Sequence, residues 1–344
     1  RVHRALADAP GLQLTVEETR AAGWAKEHLL GLPQQDLPDV LVLASGDGLI
    51  FEAINGILSR PDVARDPSIA QRIALVHLPG GTSNGLAASV GTETVAGAAL
   101  AIAKHLVVPW DATAVDVRSM DSKTEGGHPT TLWRGFSFGI LAWAVSPDID
   151  IGTEGMRWMG QARIEVGAAT LLLKGKTYPG KVALGNTPIP ALGQGEELLG
   201  SAALDSVDPS QLKTLDAESY YMWSASKFSV VDPSFLITPK ARGWSGSLNN
   251  VSIYGHDFSR MRALKSFEAC EKGVFPSDMW WVHFEDSTSV VVTPGSNTKY
   301  MTVDGDPVPI GEMRGVVLPG ALRVLCAPQV HAEWAATQAA APSS

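Results

Sequence analysis

Apolar runs alternate with helical stripes over the first hundred residues of the chain. Residues 40–44 form a run of mostly branched apolar side chains, which predicts a buried strand. After a glycine turn, apolar residues recur three or four positions apart over residues 49–58, which predicts a helix with one buried face. Residues 73–78 begin a second strand, glycine turn and helix. Strands that alternate with helices predict a parallel sheet.

The pattern changes after residue 110 to short apolar runs separated by Gly, Pro, Asn and Asp. Short strands between such turns predict a β-sandwich or a partial barrel. Two helical stripes, residues 154–173 and 258–271, interrupt this pattern. The predicted strands are residues 114–117, 181–184, 220–224, 251–254, 279–284, 289–292, 299–303 and 314–318.

A length of 344 residues is typical of about two domains. We expect an α/β domain over residues 1–111, a β-sandwich domain over residues 112–330 and a frayed tail over residues 331–344. Residues 185–215 are rich in Gly, Pro, Ser and Ala and lack periodicity, which predicts a mobile insertion. The predicted fold class is therefore α/β followed by β.

Charge and cysteine content narrow the class of protein. The net charge of −9, without any basic run, argues against nucleic acid as a partner. Two cysteines, Cys270 and Cys326, are too few for a disulfide framework and lack the spacing of metal ligands. We expect both to be buried thiols in a reducing compartment. No apolar run approaches the roughly 20 residues of a membrane span. These features predict a cytoplasmic chain.

The two glycine turns carry the candidate chemistry. Both follow predicted parallel strands, and ligands bind at the carboxyl ends of such strands. Helix starts at this edge would offer N–H groups and a positive dipole end to a phosphate. Residues 80–85 lack the Lys-Ser/Thr pair of a P-loop, and the protein-kinase signatures are absent. Asp47 lies in the first turn, where a carboxylate would repel a phosphate. It must therefore contact a metal or an acceptor hydroxyl, unless it is only a helix N-cap.

Four separated segments resemble the sphingosine (long-chain-base) kinase branch of the diacylglycerol kinase catalytic superfamily. They are SGDGLIFEAINGILSRPD, LPGGTSNGLAAS, DIDIGTEGMRWMGQARIEVGA and MTVDGDPVP. The resemblance runs from about residue 14 to residue 327, in the order of the family. It implies a nucleotide-binding α/β domain with ATP in the cleft, and a β-sandwich domain that binds the lipid. The implied reaction transfers the γ-phosphoryl group to the primary hydroxyl of a sphingoid base, with Mg²⁺ screening the phosphates. It also implies transient visits to a membrane surface.

The resemblance assigns roles to residues of the two turns. It makes Asp47 the general base that accepts the proton of the attacking hydroxyl. Thr19 matches a nucleotide-contacting threonine, although a plain helix cap is the alternative. It implies no metal ligand among the protein side chains. The implied nucleotide contacts are Thr19, Ser45, Gly46, Gly48, Gly81 and Thr82, and Gly48 also faces the substrate beside Asp47.

The third segment supplies an acid and two arginines. By resemblance, Asp150 receives the amino and hydroxyl head of the base, because a buried cation needs an anion. A helix cap is the alternative, and Asp148 is the less favoured partner. Arg157 and Arg163 match phosphate-binding arginines. The alternative is that they belong to a solvated surface with salt bridges. Six positions on one helix differ by about 240°, so we expect them on different faces. Glu154 is expected to orient Arg157.

The fourth segment and one histidine complete the candidate residues. Asp304, Gly305 and Asp306 match the adenine end of the family's site. Asp-Gly is also the usual hairpin signal, and both interpretations can hold together. His77 lies in a predicted strand, and we expect a core histidine rather than a catalyst.

The chain departs from the family at two points that bear on function. It begins after the family's first strand and glycine-rich turn, so we expect a missing first strand and weaker ATP binding. Pro147 precedes the acid pair and fixes one backbone angle there. Two alternatives stay open: a kinase for another lipid such as diacylglycerol or ceramide, and a truncated chain that binds lipid or nucleotide without turnover.

Overall fold

A computed structural model of the chain describes residues 13–81, 83–120, 129–160, 162–186, 199–232 and 235–340. The strands are β1 Val40–Ser45, β2 Ala74–Pro79, β3 Val107–Arg118, β4 Thr131–Ser137, β5 Ile140–Ala144, β6 Tyr178–Gly185, β7 Lys213–Thr214, β8 Ser219–Ser226, β9 Val230–Asp232, β10 Phe235–Leu236, β11 Leu248–Tyr254, β12 His283–Ser287, β13 Ser289–Pro294, β14 Met301–Val303, β15 Asp306–Val308 and β16 Glu312–Leu325. The α-helices are α1 Trp24–Gly31, α2 Asp47–Leu58, α3 Pro61–Arg65, α4 Ser68–Gln71, α5 Gly85–Val90, α6 Val95–Lys104, α7 Val145–Asp150, α8 Ala162–Lys174, α9 Ser201–Asp205, α10 Arg260–Lys272 and α11 Pro328–Ala340. Short 3₁₀ segments cover Gln34–Asp36, Ile151–Met159 and Pro209–Gln211.

One large mixed sheet joins most of these strands. β1 and β2 pair in parallel from Val40↔Ala74 to Ser45↔Pro79, as the alternating pattern predicts. The sheet order continues as β1-β2-β16-β13-β6-β8-β5-β14-β15. The end of β16 lies parallel to β2, while most of its length pairs antiparallel with β3. The fold is therefore a mixed α/β architecture in which the two predicted regions share a sheet.

The predicted boundary between residues 111 and 112 falls inside β3. β16, from the end of the chain, lies between β2 and β13. The two regions are thus connected by main-chain hydrogen bonds and by the continuous strand β3. The division into a nucleotide domain and a lipid domain stays a prediction.

Helix α2 lies at the junction of two hydrophobic cores. Its buried side chains include Ile50, Ile54 and Ile57, which pack in the first core. Each such burial contributes roughly 1.5–3 kcal/mol. Phe51, on the adjacent face, contacts both cores. Asn55 exchanges two hydrogen bonds of 2.9 Å with the main chain of Phe136 in β4. These contacts fix the start of α2 at the carboxyl ends of β1 and β2.

Several predicted elements differ from the structure. The predicted helix over residues 154–173 is wrong as one element, because Gly160 has a φ of +59° and separates the 3₁₀ segment from α8. Residues 331–340, expected to be frayed, belong to α11. The predicted insertion contains α9 and β7, and residues 187–198 lie outside the described residues. The predicted strand over residues 279–284 overlaps β12 only at residues 283 and 284. Elements that the sequence pattern missed include β4, β5, β9, β10, β15, α3, α4 and α7.

Both cysteines are buried free thiols, as predicted. Burial raises the pKa of Cys270 and of Cys326 to about 12. Within the described ranges, we find no helix with the length and apolar character needed to cross a bilayer.

Candidate active site

The two glycine turns lie directly against each other at the ends of β1 and β2. Gly80 donates its N–H to the Ser45 carbonyl at 3.0 Å. A Cβ atom added to Gly46 would lie 3.0 Å from Gly81 Cα, and one added to Gly81 would overlap Gly46 Cα. Such a close approach of two backbones requires glycine. The structure therefore brings Ser45, Gly46 and Gly81 together, as the sequence predicts.

Asn84 closes the second turn. Its Oδ1 accepts the Gly81 N–H at 2.9 Å, and its Nδ2 donates to the Gly81 carbonyl at 2.8 Å. Asn84 has a φ of +56°, a conformation that asparagine tolerates better than most residues. The Gly81 N–H is thus bonded within the turn, and its phosphate contact stays a prediction. Thr82 lies outside the described residues.

Gly48 lies in the first turn of α2 with open space beside it. A Cβ atom added there would meet nothing within 4 Å. The N–H groups of a first helical turn have no partner inside the helix. This arrangement leaves room and donors for a ligand over Gly48, although its predicted phosphate contact is untested.

The Asp47 carboxylate bridges the two turns. Its Oδ2 accepts the Gly85 N–H at 3.0 Å, at the start of α5. The N-cap of its own helix is Gly46, which makes no side-chain capping bond. The N-cap alternative is therefore wrong for α2, because Asp47 caps the neighbouring helix instead. The side chain remains 21% exposed, so an acceptor hydroxyl could reach it.

His77 is buried in β2, as predicted, but it also faces this site. Its Nε2 lies 2.8 Å from the Ser45 carbonyl oxygen. Its Nδ1 lies 3.8 Å from Asp47 Oδ1. The sequence predicts only a core histidine, because nothing local to β2 indicates that the ring points toward Asp47.

Asp150 and Arg163, predicted for different ligands, form an ion pair. Arg163 Nη2 lies 3.0 Å from Asp150 Oδ1. Arg163 Nη1 also donates to the Asp150 carbonyl at 2.8 Å and to Thr153 Oγ1 at 2.9 Å. The Asp150 side chain remains 43% exposed, whereas that of Arg163 is mostly buried. The guanidinium therefore holds the turn that presents Asp150, and a direct phosphate contact by Arg163 stays a prediction.

Glu154 lies in the 3₁₀ segment that follows Asp150, and it also faces Arg163. Its Oε1 is 3.6 Å from Arg163 Nη1. The expected orientation of Arg157 by Glu154 stays a prediction, because the Arg157 side chain lies outside the described residues. Because the helical backbone is interrupted at Gly160, the two arginines do not share one continuous helix. The expected angle of about 240° between them around one helix axis therefore does not apply.

Asp148 differs from Asp150 in its surroundings. Its Oδ2 accepts from the Tyr178 hydroxyl at 2.6 Å and from Lys176 Nζ at 2.9 Å. Burial and the hydrogen bond to Asp148 raise the pKa of Tyr178. Pro147 lies within α7, near its start, where a proline is tolerated. Of the two acids, Asp150 is therefore the one presented to solvent.

Asp304 and Gly305 form the two-residue turn between β14 and β15. Their φ values are +52° and +85°, which confirms the hairpin interpretation. The Asp304 carboxylate accepts hydrogen bonds from Ser137 Oγ and from the N–H groups of residues 138, 139 and 140, at 2.8–2.9 Å. Burial raises its pKa to about 7, against these hydrogen bonds, which lower it. The carboxylate thus holds the turn before β5, and an adenine contact would fall to other atoms of the hairpin.

Asp306 follows the hairpin turn and feels the charges of two other carboxylates. Asp150 Oδ2 lies 3.9 Å from the position that a Cβ atom on Gly305 would take. Burial, followed by the charges of Glu52 and Asp150, raises the pKa of Asp306. Glu52 belongs to α2 and accepts the Gly23 N–H at 2.7 Å. Glu52 on α2 and Asp150 at the end of α7 therefore both act on Asp306, the first residue of β15.

Glu52 has no local sequence signal, because its partner at Gly23 lies 29 positions away. Thr19 is exposed in the irregular segment before α1. Its nucleotide contact stays a prediction.

Within the part of the chain that the structure describes, no group of three or more His, Cys, Asp or Glu could hold a metal ion. Mg²⁺ at nucleotide sites is often held by one or two carboxylates together with phosphates. The residues present are compatible with a Mg²⁺ ion carried mainly by the phosphates. Its use by this chain stays a prediction.

Comparison with known proteins shows which families and structures the chain is similar to. Residues 1–115 match the family described as the diacylglycerol kinase catalytic domain. A diacylglycerol kinase crystal structure from Bacillus anthracis str. Sterne superposes with a TM-score of 0.58 at 14% identity, covering 91% of this chain and 84% of that chain. At that identity the likeness shows the fold.

Three curated relatives extend the match beyond residue 115. Sphingosine kinase 1 of Arabidopsis thaliana is 28% identical over 244 residues, 70% of this chain and 45% of that protein. Sphingosine kinase 1 of Homo sapiens is 27% identical over 256 residues, 68% of this chain and 62% of that protein. Sphingosine kinase 1 of Mus musculus is 25% identical over 297 residues, 84% of this chain and 76% of that protein. The chain thus spans about half the length of the first two relatives.

Proposed function

We propose that this chain, whose first 115 residues belong to the diacylglycerol kinase catalytic-domain family, phosphorylates a sphingoid base with ATP as the donor. The observation that carries the proposal is the Asp47 carboxylate, partly exposed between two abutting glycine turns. Phosphoryl transfer needs a positioned base and donors for the phosphate oxygens. The likeness to sphingosine kinases of plants and mammals supports the choice of lipid.

In the proposed reaction, Asp47 accepts the proton of the primary hydroxyl as that oxygen attacks the γ-phosphorus. The bond between Asp47 Oδ2 and the Gly85 N–H keeps the carboxylate fixed, so little reorganisation is needed at the moment of attack. The open space above Gly48 gives the phosphates a place beside that carboxylate. When bound, Mg²⁺ supplies positive charge to the phosphates.

The second cluster supports an amine-bearing acceptor. The Asp150 side chain is partly exposed beside Gly305, and its charge acts on Asp306, a second carboxyl group near the hairpin. An ammonium head gains from this negative field, whereas a neutral head group does not. We assign the head of the base to Asp150 and its hydroxyl to Asp47.

The Arg163 ion pair favours a second candidate. Because the guanidinium lies 3.0 Å from Asp150, that carboxylate is already partly neutralised. A neutral lipid such as diacylglycerol or ceramide would not require Asp150 to exchange partners. A kinase for a neutral lipid is therefore the alternative. A transfer assay with several lipid acceptors must distinguish it from a kinase for a sphingoid base.

Lipid access is proposed at the face that follows Asp150. Trp158 is 83% exposed, and Leu173 on α8 is 69% exposed. Large apolar side chains that are exposed to this degree favour contact with a membrane surface. We propose that this face visits a membrane surface transiently, and that the chain is otherwise cytoplasmic.

The experiment that tests the proposal is a radiolabel transfer assay from ATP to sphingosine, diacylglycerol and ceramide. We expect labelling of sphingosine by the wild-type chain. Asp150→Asn should reduce sphingosine labelling at least about 10-fold through the loss of the anion, and leave any labelling of neutral lipids unchanged. Lys213→Ala, which changes an exposed ion pair with Glu285, is the control and should behave as wild type. Labelling of a neutral lipid alone would contradict the sphingoid assignment, and labelling of none would contradict the kinase assignment.

A further inference from the structure

A buried imidazole lies behind the Asp47 carboxylate and has no part in the reaction described so far. The His77 side chain has no exposed surface. Within the described residues, its Nδ1 has no hydrogen-bond partner. A buried polar atom without a partner costs stability, typically about 1–3 kcal/mol. Such an atom, aimed at a reactive carboxylate, indicates a function.

The Ser45 carbonyl fixes the proton on this ring. Nε2 lies 2.8 Å from that oxygen, which can only accept a hydrogen bond. Nε2 therefore carries the proton, and in the neutral ring Nδ1 is left with a lone pair. That lone pair lies 3.8 Å from Asp47 Oδ1, which is also an acceptor. Two acceptors face each other, and one proton would turn the contact into an ion pair.

We propose that His77 is the proton partner of Asp47, a positioning residue that acts through the carboxylate; this inference rests on the proposed kinase function. The acceptor hydroxyl gives its proton to Asp47 while its oxygen forms a bond to the γ-phosphorus. The bond from that phosphorus to the bridging oxygen breaks, and ADP leaves with the electron pair. The proton then moves from Asp47 to His77 Nδ1, and after product release it returns to water through the partly exposed Asp47 carboxylate. The imidazolium has an acceptor for each N–H, Ser45 and Asp47.

Among the titratable side chains of the described elements around the His77 ring, Asp47 is the charged group that faces it. Several elements pack on β2. In their described parts, strand β1 and helix α5 carry no titratable side chain, and helix α6 carries only Lys104 at its last residue. β16 brings Arg323, which pairs beside Ala74 and donates to the Gln71 carbonyl. Cys326 follows β16, and burial raises the pKa of this thiol to about 12, so it stays neutral.

The kinetic test replaces His77 by Gln. The amide can still donate toward Ser45, but it does not accept a proton near neutral pH. We expect kcat to fall at least about 10-fold, since proton acceptance is impaired. The acidic limb of the kcat profile should move to lower pH by at least about one unit, because a lone carboxyl titrates below an imidazole. KM for ATP should change by less than about 2-fold.

Thr92→Val is the matched control. Thr92 is fully buried and donates to the His77 carbonyl at 3.3 Å, so its loss disturbs the same strand without changing the ring. We expect its pH profile to match wild type. An unchanged acidic limb in His77→Gln, or an equal shift in Thr92→Val, would overturn the proposal.

A measurement without lipid separates this inference from the proposed function. In ¹⁵N-histidine NMR spectra, the resonance lost in His77→Gln identifies the ring. We expect the neutral ring protonated on Nε2, and a changed Nδ1 chemical shift in Asp47→Asn, because the carboxylate that faces Nδ1 is lost. A ring protonated on Nδ1, or no change in Asp47→Asn, would contradict the pairing. The expected spectra without lipid phosphorylation would instead contradict the proposed substrate class.

Discussion

Gly48 and Gly81 lie in similar turns but under different steric constraints. A side chain on Gly81 would overlap the main chain of the first turn, whereas Gly48 faces open space. Glycine is therefore needed at residue 81 for packing, whereas residue 48 borders the space that we propose for the phosphates. The two positions allow the fold requirement to be separated from the ligand requirement.

Gly81→Ala should lower the free energy of unfolding by about 1–3 kcal/mol, because the turns must separate to admit a methyl group. Gly48→Ala should leave stability unchanged or raise it by up to about 1 kcal/mol, since alanine favours a helix. Both should weaken ATP binding. Urea unfolding and ATP titration calorimetry check these outcomes. A fully stable Gly81→Ala chain would show that the turns do not meet as described, and undiminished ATP binding by Gly48→Ala would exclude a phosphate from that space.

At the scale of elements, helix α2 connects the site to both cores. Phe51 packs in both, Asn55 is bonded to β4, and Glu52 caps the start of α1. Sequence periodicity was sufficient to predict α2, β1 and β2, because these elements are defined by local patterns. It could not predict the break before α8, since the single residue Gly160 interrupts an otherwise continuous helical stripe.

The Asp304 hairpin offers a pH test at this scale. Burial raises the pKa of Asp304 to about 7, from 3.8 for an exposed aspartate. The folded chain therefore binds more protons than the unfolded chain between these values, so stability falls as pH rises through this window. The slope from this one group should reach up to about 1.4 kcal/mol per pH unit.

Asp304→Asn removes the titrating group but keeps an oxygen for some of the four donors. We expect the variant to lose this part of the pH dependence between about pH 4 and pH 7. Its stability at pH 4 should be lower by about 1–3 kcal/mol, because one donor is left unpaired. Urea unfolding at several pH values measures both effects. Parallel pH curves for wild type and variant would contradict the buried titration.

At the scale of the whole molecule, the shared sheet joins the two regions. β16, with 14 residues, pairs with β3, β13 and β2. The sequence predicted only residues 314–318 as a strand, because Pro319 and Gly320 interrupt the apolar pattern. Pairings between distant segments have no local signal. The glycine turns were predictable because their signal is local. The contacts of Asp47 with His77 and of Asp150 with Arg163 were not, because each joins separate segments of the chain.

This topology predicts a single cooperative unfolding transition. The tryptophan signal from both cores and the far-ultraviolet circular dichroism should give the same midpoint, since neither region can unfold without breaking β16 out of the sheet. A chain of residues 1–111 alone should not fold, because it lacks β16 and the end of β3. Two separated transitions, or a folded 1–111 fragment, would show that the regions are independent domains.

The central claim is that the Asp47 carboxylate receives the proton of a lipid hydroxyl. Asn keeps an oxygen for the Gly85 N–H, so Asp47→Asn should fold and bind ATP as wild type does. The direct measurement is the rate of γ-phosphoryl transfer from ATP to sphingosine by wild type and Asp47→Asn at saturating substrates. The account predicts a decrease of at least about 10²-fold in kcat, with little change in ATP affinity. A variant that retains the wild-type rate would contradict it.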